Sequence, residues 1–374
     1  MSDELIFMLV LLLRLGIPLL IPRFPFPAIL AALVIDAADQ TIFQNNTDLD
    51  LTNYQGYDKA LDIYYLAIAY LSTFRNWADP FAARTAQFLW YYRLLGVMLF
   101  ELFHERALLI IFPNTFEYFF IAYEVVRVGW NPARLGHRAV IILAACIWIF
   151  IKLPQEWWLH IAQLDFTDFM KEDVFGVTVE TSWGDAISEN LWFVGLIAVV
   201  TIGVVVGIRA ALRAAPPRDW SPTLNAHAHP ESTRVDATPV RSDLFSWDLL
   251  EKVVLTSMIT IIFAQVIPSN DSTPLQLTIG VGFLVAVSAA ASQWLAGRGH
   301  TWSSTLTEFV GMAVINFGIA AFYVIFLSRQ DDDTNSAALL FFVLLLTLII
   351  ILFDRYRPIR SARWDEPDSS PQPA

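Results

Sequence analysis

Runs of about twenty apolar residues recur through the whole chain, and that is the length a helix needs to cross the hydrocarbon core of a bilayer. Along the 374 residues they cover 5–22, 27–43, 60–77, 85–103, 107–126, 139–153, 191–208, 249–267, 275–295, 303–327 and 337–353. The pattern predicts an all-α, polytopic transmembrane helical bundle of about 10–11 spanning helices. The lower count applies if Arg14 and the prolines Pro22, Pro25 and Pro27 make 5–43 one broken helix. The higher applies if that stretch forms two spans.

Composition agrees with this. The chain is 56% hydrophobic and 16% charged, against about 45–50% and about 25% for a soluble domain. Its mean hydropathy is +0.51. A disordered chain and an ordinary soluble enzyme are excluded on these grounds. Acidic residues number 36 and basic ones 24, for a net charge of -12, so nucleic acid is not an expected partner. The single cysteine, Cys146, permits neither an internal disulfide nor a four-cysteine zinc site. It reads as a small buried hydrophobe. Lysine occurs only at Lys59, Lys152, Lys171 and Lys252, and the bias to arginine and alanine suggests a bacterial source.

Charge alternates from loop to loop. Arg23, the pair Arg75 and Arg84, the group Arg127, Arg134 and Arg138, the series from Arg209 to Arg241, Arg298, and the tail from Arg355 to Arg363 fall on one side. The acidic loops 36–59 and 154–190, the short segment with Asp271, and Asp331 to Asp333 fall on the other. Cytoplasmic loops carry the excess of Lys and Arg. The C-terminus is therefore expected in the cytoplasm of a multi-pass inner-membrane protein, with the two acidic loops outside. The acidic start, Ser2-Asp3-Glu4, lacks the basic region of a signal peptide, so the first apolar run is expected to remain as a membrane helix.

The stretch 214–246 is rich in proline, serine and asparagine and reads as a disordered cytoplasmic linker. It divides an N-terminal membrane bundle, 1–213, from a C-terminal four-helix bundle, 247–357, and 358–374 reads as a disordered tail. His227 and His229 in the linker lack further ligands. Gly203 and Gly207 form a G-x-x-x-G step, which marks a helix contact.

Ionisable groups inside spans are costly and point to function or to fixed pairing. They concentrate in 79–138. Arg93 stands twelve positions before Glu105, and Glu117 stands twelve after it. In an antiparallel hairpin both lie about 18 Å from the turn, which predicts an Arg93–Glu117 pair, with Pro113 able to shift the register. A second pair, Arg84–Glu124, is expected at the cytoplasmic end. Glu101 and Tyr118 complete this intramembrane network. Glu101-x-x-His104 has the spacing of a di-iron ligand pair but lacks a second copy, and no metal or cofactor is expected. Lys152 and Glu156 read as a local pair at the outer boundary, with His160 at helical spacing beyond.

Asp48-Leu49-Asp50 in the first external loop resembles the D-x-D of membrane glycosyltransferases that use lipid-linked sugars. The likeness covers three residues and implies an external acid site at Asp48 and Asp50. Three functions fit the whole pattern. The first is a transporter or permease with the Arg/Glu network lining a polar path. The second is a membrane-embedded enzyme acting on a lipid or lipid-linked substrate. The third is an accessory or assembly subunit whose charge pairs only fix packing. The expected partners are the bilayer and a small-molecule or lipid substrate; the sequence leaves oligomeric state open.

Overall fold

The computed structural model describes residues 3–47, 54–162, 164, 166–229, 247–266, 314, 318 and 336–364. Among these the fold is all helical, with no strand. Four helices are long and apolar enough to cross a membrane: Pro25–Phe43, Ala107–Arg127, Pro132–Ile161 and Leu191–Ala214.

The first apolar stretch forms two helices, α1 (Asp3–Gly16) and α2 (Pro25–Asn46). The chain reverses between them through a short 3-10 turn, and prolines suit the first turn of α2 because their missing N–H has no helical partner there. α1 has 14 residues, about 21 Å of helix, which is short of the hydrocarbon thickness. Acids Asp3 and Glu4 open α1 and Arg14 closes it, so both ends complement the helix dipole.

α3 (Tyr54–Asn76) and α4 (Pro80–Phe103) form the centre. Asp79 caps α4 by accepting from Phe81 N at 2.9 Å, with Pro80 following at the first helical position. α4 ends where His104 takes a left-handed conformation, φ 58°. The next apolar run is not one helix. Phe112-Pro113-Asn114 divides it into α5 (Ala107–Ile111) and α6 (Thr115–Arg127). The α4–α5 approach is so close that a Cβ on Gly96 would overlap Phe112 Cβ.

α7 (Gly136–Cys146) continues through a π-helical segment, Ile147–Lys152, into α8 (Leu153–Glu156) and a second π-helical segment, Trp157–Ile161. The helix therefore runs past residue 153, where the acidic loop was expected to begin. Cys146 is exposed, not buried. The remainder of the predicted loop holds α9 (Phe166–Asp168) and α10 (Trp183–Glu189), the latter capped by Ser182 Oγ accepting from Asp185 N at 3.1 Å. α11 (Leu191–Ala214) follows, with no buried residue along its 24 positions.

The predicted linker is different in its first half. Residues 215–229 pack against the arginine-rich end of α2, α3 and α6. Asp219 N donates to Gly129 O at 3.0 Å, Thr223 N to Val128 O at 3.1 Å and Ala226 N to Arg23 O at 2.8 Å. Trp220 Nε1 and His229 Nε2 both donate to Arg127 O, at 3.2 and 2.6 Å. The bonds to Arg127, Val128 and Gly129 satisfy carbonyls that the end of α6 leaves without helical partners. Residues 230–246 lie outside the described residues.

α12 (Trp247–Val266) and α13 (Ser336–Trp364) pack on α3 and α4. One core joins Tyr64, Tyr70, Trp77, Trp90 and Phe116 to Leu255, Ile259, Ile349 and Phe353. The expected separate C-terminal bundle is thus replaced, for these two helices, by shared packing with the N-terminal half. The other two predicted C-terminal spans fall almost wholly outside the described residues. α13 also carries helix through Pro358 to Trp364, so the helix extends into the predicted disordered tail.

Candidate functional site

The densest charge lies on α1, α2 and α3, not in 79–138. Asp36 and Asp39 stand three apart on α2, and Asp58 and Asp62 four apart on α3, so each pair shares a helix face. The two faces meet around Arg14. The buried guanidinium pairs with Asp36, Asp39 and Asp58, and with Asp62 Oδ1 at 2.9 Å. One guanidinium therefore serves four carboxylates. The centre is closed on one side, with the Asp39 side chain 2% exposed, and open on the other, with Asp58 and Asp62 at 38% and 39%.

Carboxylate oxygens of Asp36, Asp58 and Asp62 lie within 4.8 Å of one another. Hard divalent cations take oxygen ligands in such an arrangement, so these three residues have the chemistry to hold one. Arg14 also lines a cavity of about 230 Å³ whose other walls include Phe7, Val10, Phe43, Leu61 and Phe341. An apolar cavity thus ends at one charged group, the Arg14 side chain.

A second centre surrounds Glu117 at the start of α6. Arg93 and Glu117 do not pair. The break at Pro113 displaces α6 from the hairpin register, and Arg93 instead donates to Phe112 O at 3.2 Å and lies 3.8 Å from Glu156. Glu117 accepts from Tyr65 Oη at 2.7 Å and Asn114 Nδ2 at 3.1 Å, with Lys152 Nζ 3.6 Å away. Lys152 also sits 3.9 Å from the Tyr118 ring centre, a cation–π contact. Glu156 accepts from Asn114 N at 3.1 Å and pairs with His160 at 3.0 Å. Lys152 and Glu156 therefore reach inward to α4 and α6 instead of forming a pair at the boundary.

The expected Arg84–Glu124 pair is also absent. Arg84 points outward, exposed. Glu124 is buried and takes both oxygens to Arg127 Nη1, at 2.7 and 2.8 Å, and accepts from Trp77 Nε1 at 2.6 Å. Arg127 lies one helical turn beyond Glu124 and satisfies it within α6. Glu101 pairs with Lys59 at 3.0 Å, while His104 is exposed at the cap of α4, so the two do not form a ligand pair. Asp48 and Asp50 lie outside the described residues.

Sequence reasoning passed over one further centre. Glu251 on α12 accepts from Tyr70 Oη, from Gln87 Nε2 at 2.9 Å and from Arg360 at 2.6 Å, joining four helices. The Arg14 centre did leave a signal: a lone arginine in an apolar run is followed by two acid pairs at helical spacing, 36/39 and 58/62. Counted as loop charge, Asp36, Asp39 and Asp58 lost that meaning.

No protein-family profile, curated protein or solved structure matches this chain. The fold defines the class: among the described residues, an all-helical protein with four helices long and apolar enough to cross a membrane.

Proposed function

We propose that this is a multi-pass protein of the bacterial inner membrane, with about eleven spans and a cytoplasmic C-terminus, whose Arg14 centre acts on a lipid or lipid-linked substrate. The observation that carries the reading is the convergence of Asp36, Asp58 and Asp62 on Arg14, whose own side chain lines an apolar cavity. An acyl or isoprenoid chain suits the apolar walls, and a polar headgroup suits the floor. By the alternation of loop charge, this floor faces the outer half of the membrane.

The three carboxylates would hold a divalent cation, which would supply charge neutralisation for an anionic headgroup. Arg14 keeps Asp36, Asp39, Asp58 and Asp62 gathered on one side. Asp58 and Asp62, the more exposed pair, would present their oxygens to the cation from the open side. Asp39, dry and paired, orients Arg14.

The transport reading is second. The specific support for it is the buried chain Tyr65–Glu117–Lys152 beside Glu156 and His160. Glu117 is 3% exposed and already holds three partners, so it favours fixed pairing more than a wet path.

Manganese titration followed by electron paramagnetic resonance tests the leading reading, using the full chain in nanodiscs. Wild type is expected to bind one Mn²⁺, displaced by Mg²⁺. Asp36→Asn, Asp58→Asn and Asp62→Asn should each weaken binding about tenfold or more. Failure of the wild type to bind Mn²⁺ would overturn the cation-dependent reading.

A further inference from the structure

We propose that residues 166–192 form a platform lying flat in the outer boundary of the bilayer, with Val179 and Trp183 against lipid and Asp185 and Glu189 in water. The partner is the zone where headgroups meet acyl chains. The proposal rests on the membrane reading of Pro132–Ile161 and Leu191–Ala214, and on the loop-charge alternation that sets this side outside.

Aromatic contacts at both ends fix the level of the segment. Trp158, in the last turn of Pro132–Ile161, meets Phe169 edge-on with ring centres 5.0 Å apart. Phe175 lies 6.1 Å from Trp192 and 4.9 Å from Phe193, in the first turn of α11. Each contact reaches the end of a helix able to cross the membrane, so the segment between them stays close to that boundary. Phe175 also meets Trp183 at 6.2 Å. Buried Lys171 donates to Val179 O at 2.7 Å and stands 5.5 Å from the Trp183 ring centre. Val179 and Trp183 thus belong to the same cluster.

The segment holds Met170, Phe175 and Ala186 in a core of its own. A core of that size buries too little to cover the other apolar side chains. Leu164, Val179, Trp183 and Trp192 are left exposed. A tryptophan at the end of a span suits the headgroup level, where its ring meets both apolar and polar surroundings. Charge is sorted accordingly. Trp183, Ala186 and Ile187 share one side of α10, towards the small core, while exposed Asp185 and Glu189 lie on the other. Continuity favours lipid over a protein as the occupant. The exposed apolar surface runs from Trp192 straight into α11, which has no buried residue.

Power saturation of nitroxide labels tests this, on single cysteines of the full chain in phosphatidylcholine nanodiscs with Cys146→Ser as background. Oxygen concentrates in lipid, and a nickel chelate stays in water. Leu164→Cys and Val179→Cys leave every ring contact in place. Their ratio of oxygen to chelate accessibility should exceed that of Asp185→Cys and Glu189→Cys several-fold. Val199→Cys, midway along α11, is the reference for the span itself. A water-like Val199→Cys would overturn the membrane reading underneath. A lipid-like Val199→Cys with water-like Leu164→Cys and Val179→Cys would overturn the platform alone. Shielding of both labels from both reagents would mark a protein contact instead and overturn it as well.

Discussion

Arg14 shows how much a single residue carries. In sequence it is an interruption in an apolar run; in the fold it is the cation that lets four aspartates share one place. Removing one member of a buried ion cluster leaves the others uncompensated, at a cost of about 3–5 kcal/mol. Arg14→Ala is therefore expected to lower the thermal unfolding midpoint in detergent, and millimolar Mg²⁺ should restore part of the loss by replacing the missing positive charge. No restoration by Mg²⁺ would count against Asp36, Asp58 and Asp62 as cation ligands. These acids were legible only as spacing, because helical periodicity tells which residues share a face but not which face meets Arg14.

At the scale of elements, the charges expected to pair between α4 and α6 find other partners. Equal distance from a turn predicts pairing only if both arms are unbroken, and Pro113 breaks the second. Glu117 then faces Tyr65 and Lys152 instead of Arg93. Lys152 reaches it because α7 continues as π-helix through Ile147–Lys152, which rotates the following residues relative to an α-helix. A double-mutant cycle of Glu117→Gln and Lys152→Met should give a coupling of about 0.5–3 kcal/mol. The same cycle on Arg93 and Glu117 should give a coupling near zero. Thermal or denaturant unfolding reads both, and the reverse ranking would restore the hairpin register.

For the whole molecule, the decisive feature is that α12 and α13 complete the core of α3 and α4. Tyr70 and Gln87 depend on Glu251 for a partner, and Arg360 of α13 closes that junction. A chain ending at His229 loses these contacts and uncovers Tyr70 and Phe74. It is expected to aggregate or unfold in detergent, as read by size exclusion and thermal unfolding, although a self-contained N-terminal bundle would survive. Composition had suggested the two-part division, because proline and polar residues at 214–246 look like a boundary. Such residues also serve a segment that packs by its main chain, since Pro216, Pro217 and Pro222 tolerate the extended path that residues 215–225 take.

The sequence by itself determined that this chain is helical and rich in segments able to cross a membrane. Apolar runs of spanning length favour helices, because a helix satisfies its backbone groups within the segment even in lipid. The starts of α2 and α4 are local too, set by Pro25, Asp79 and Pro80, although the apolar runs alone place them at 27 and 85. Only the tertiary structure decided which charges meet. Pairing among Arg14, the four aspartates, Glu117, Lys152 and Glu251 depends on how helices far apart in the chain rotate and break against one another, and no local pattern of residues encodes that rotation.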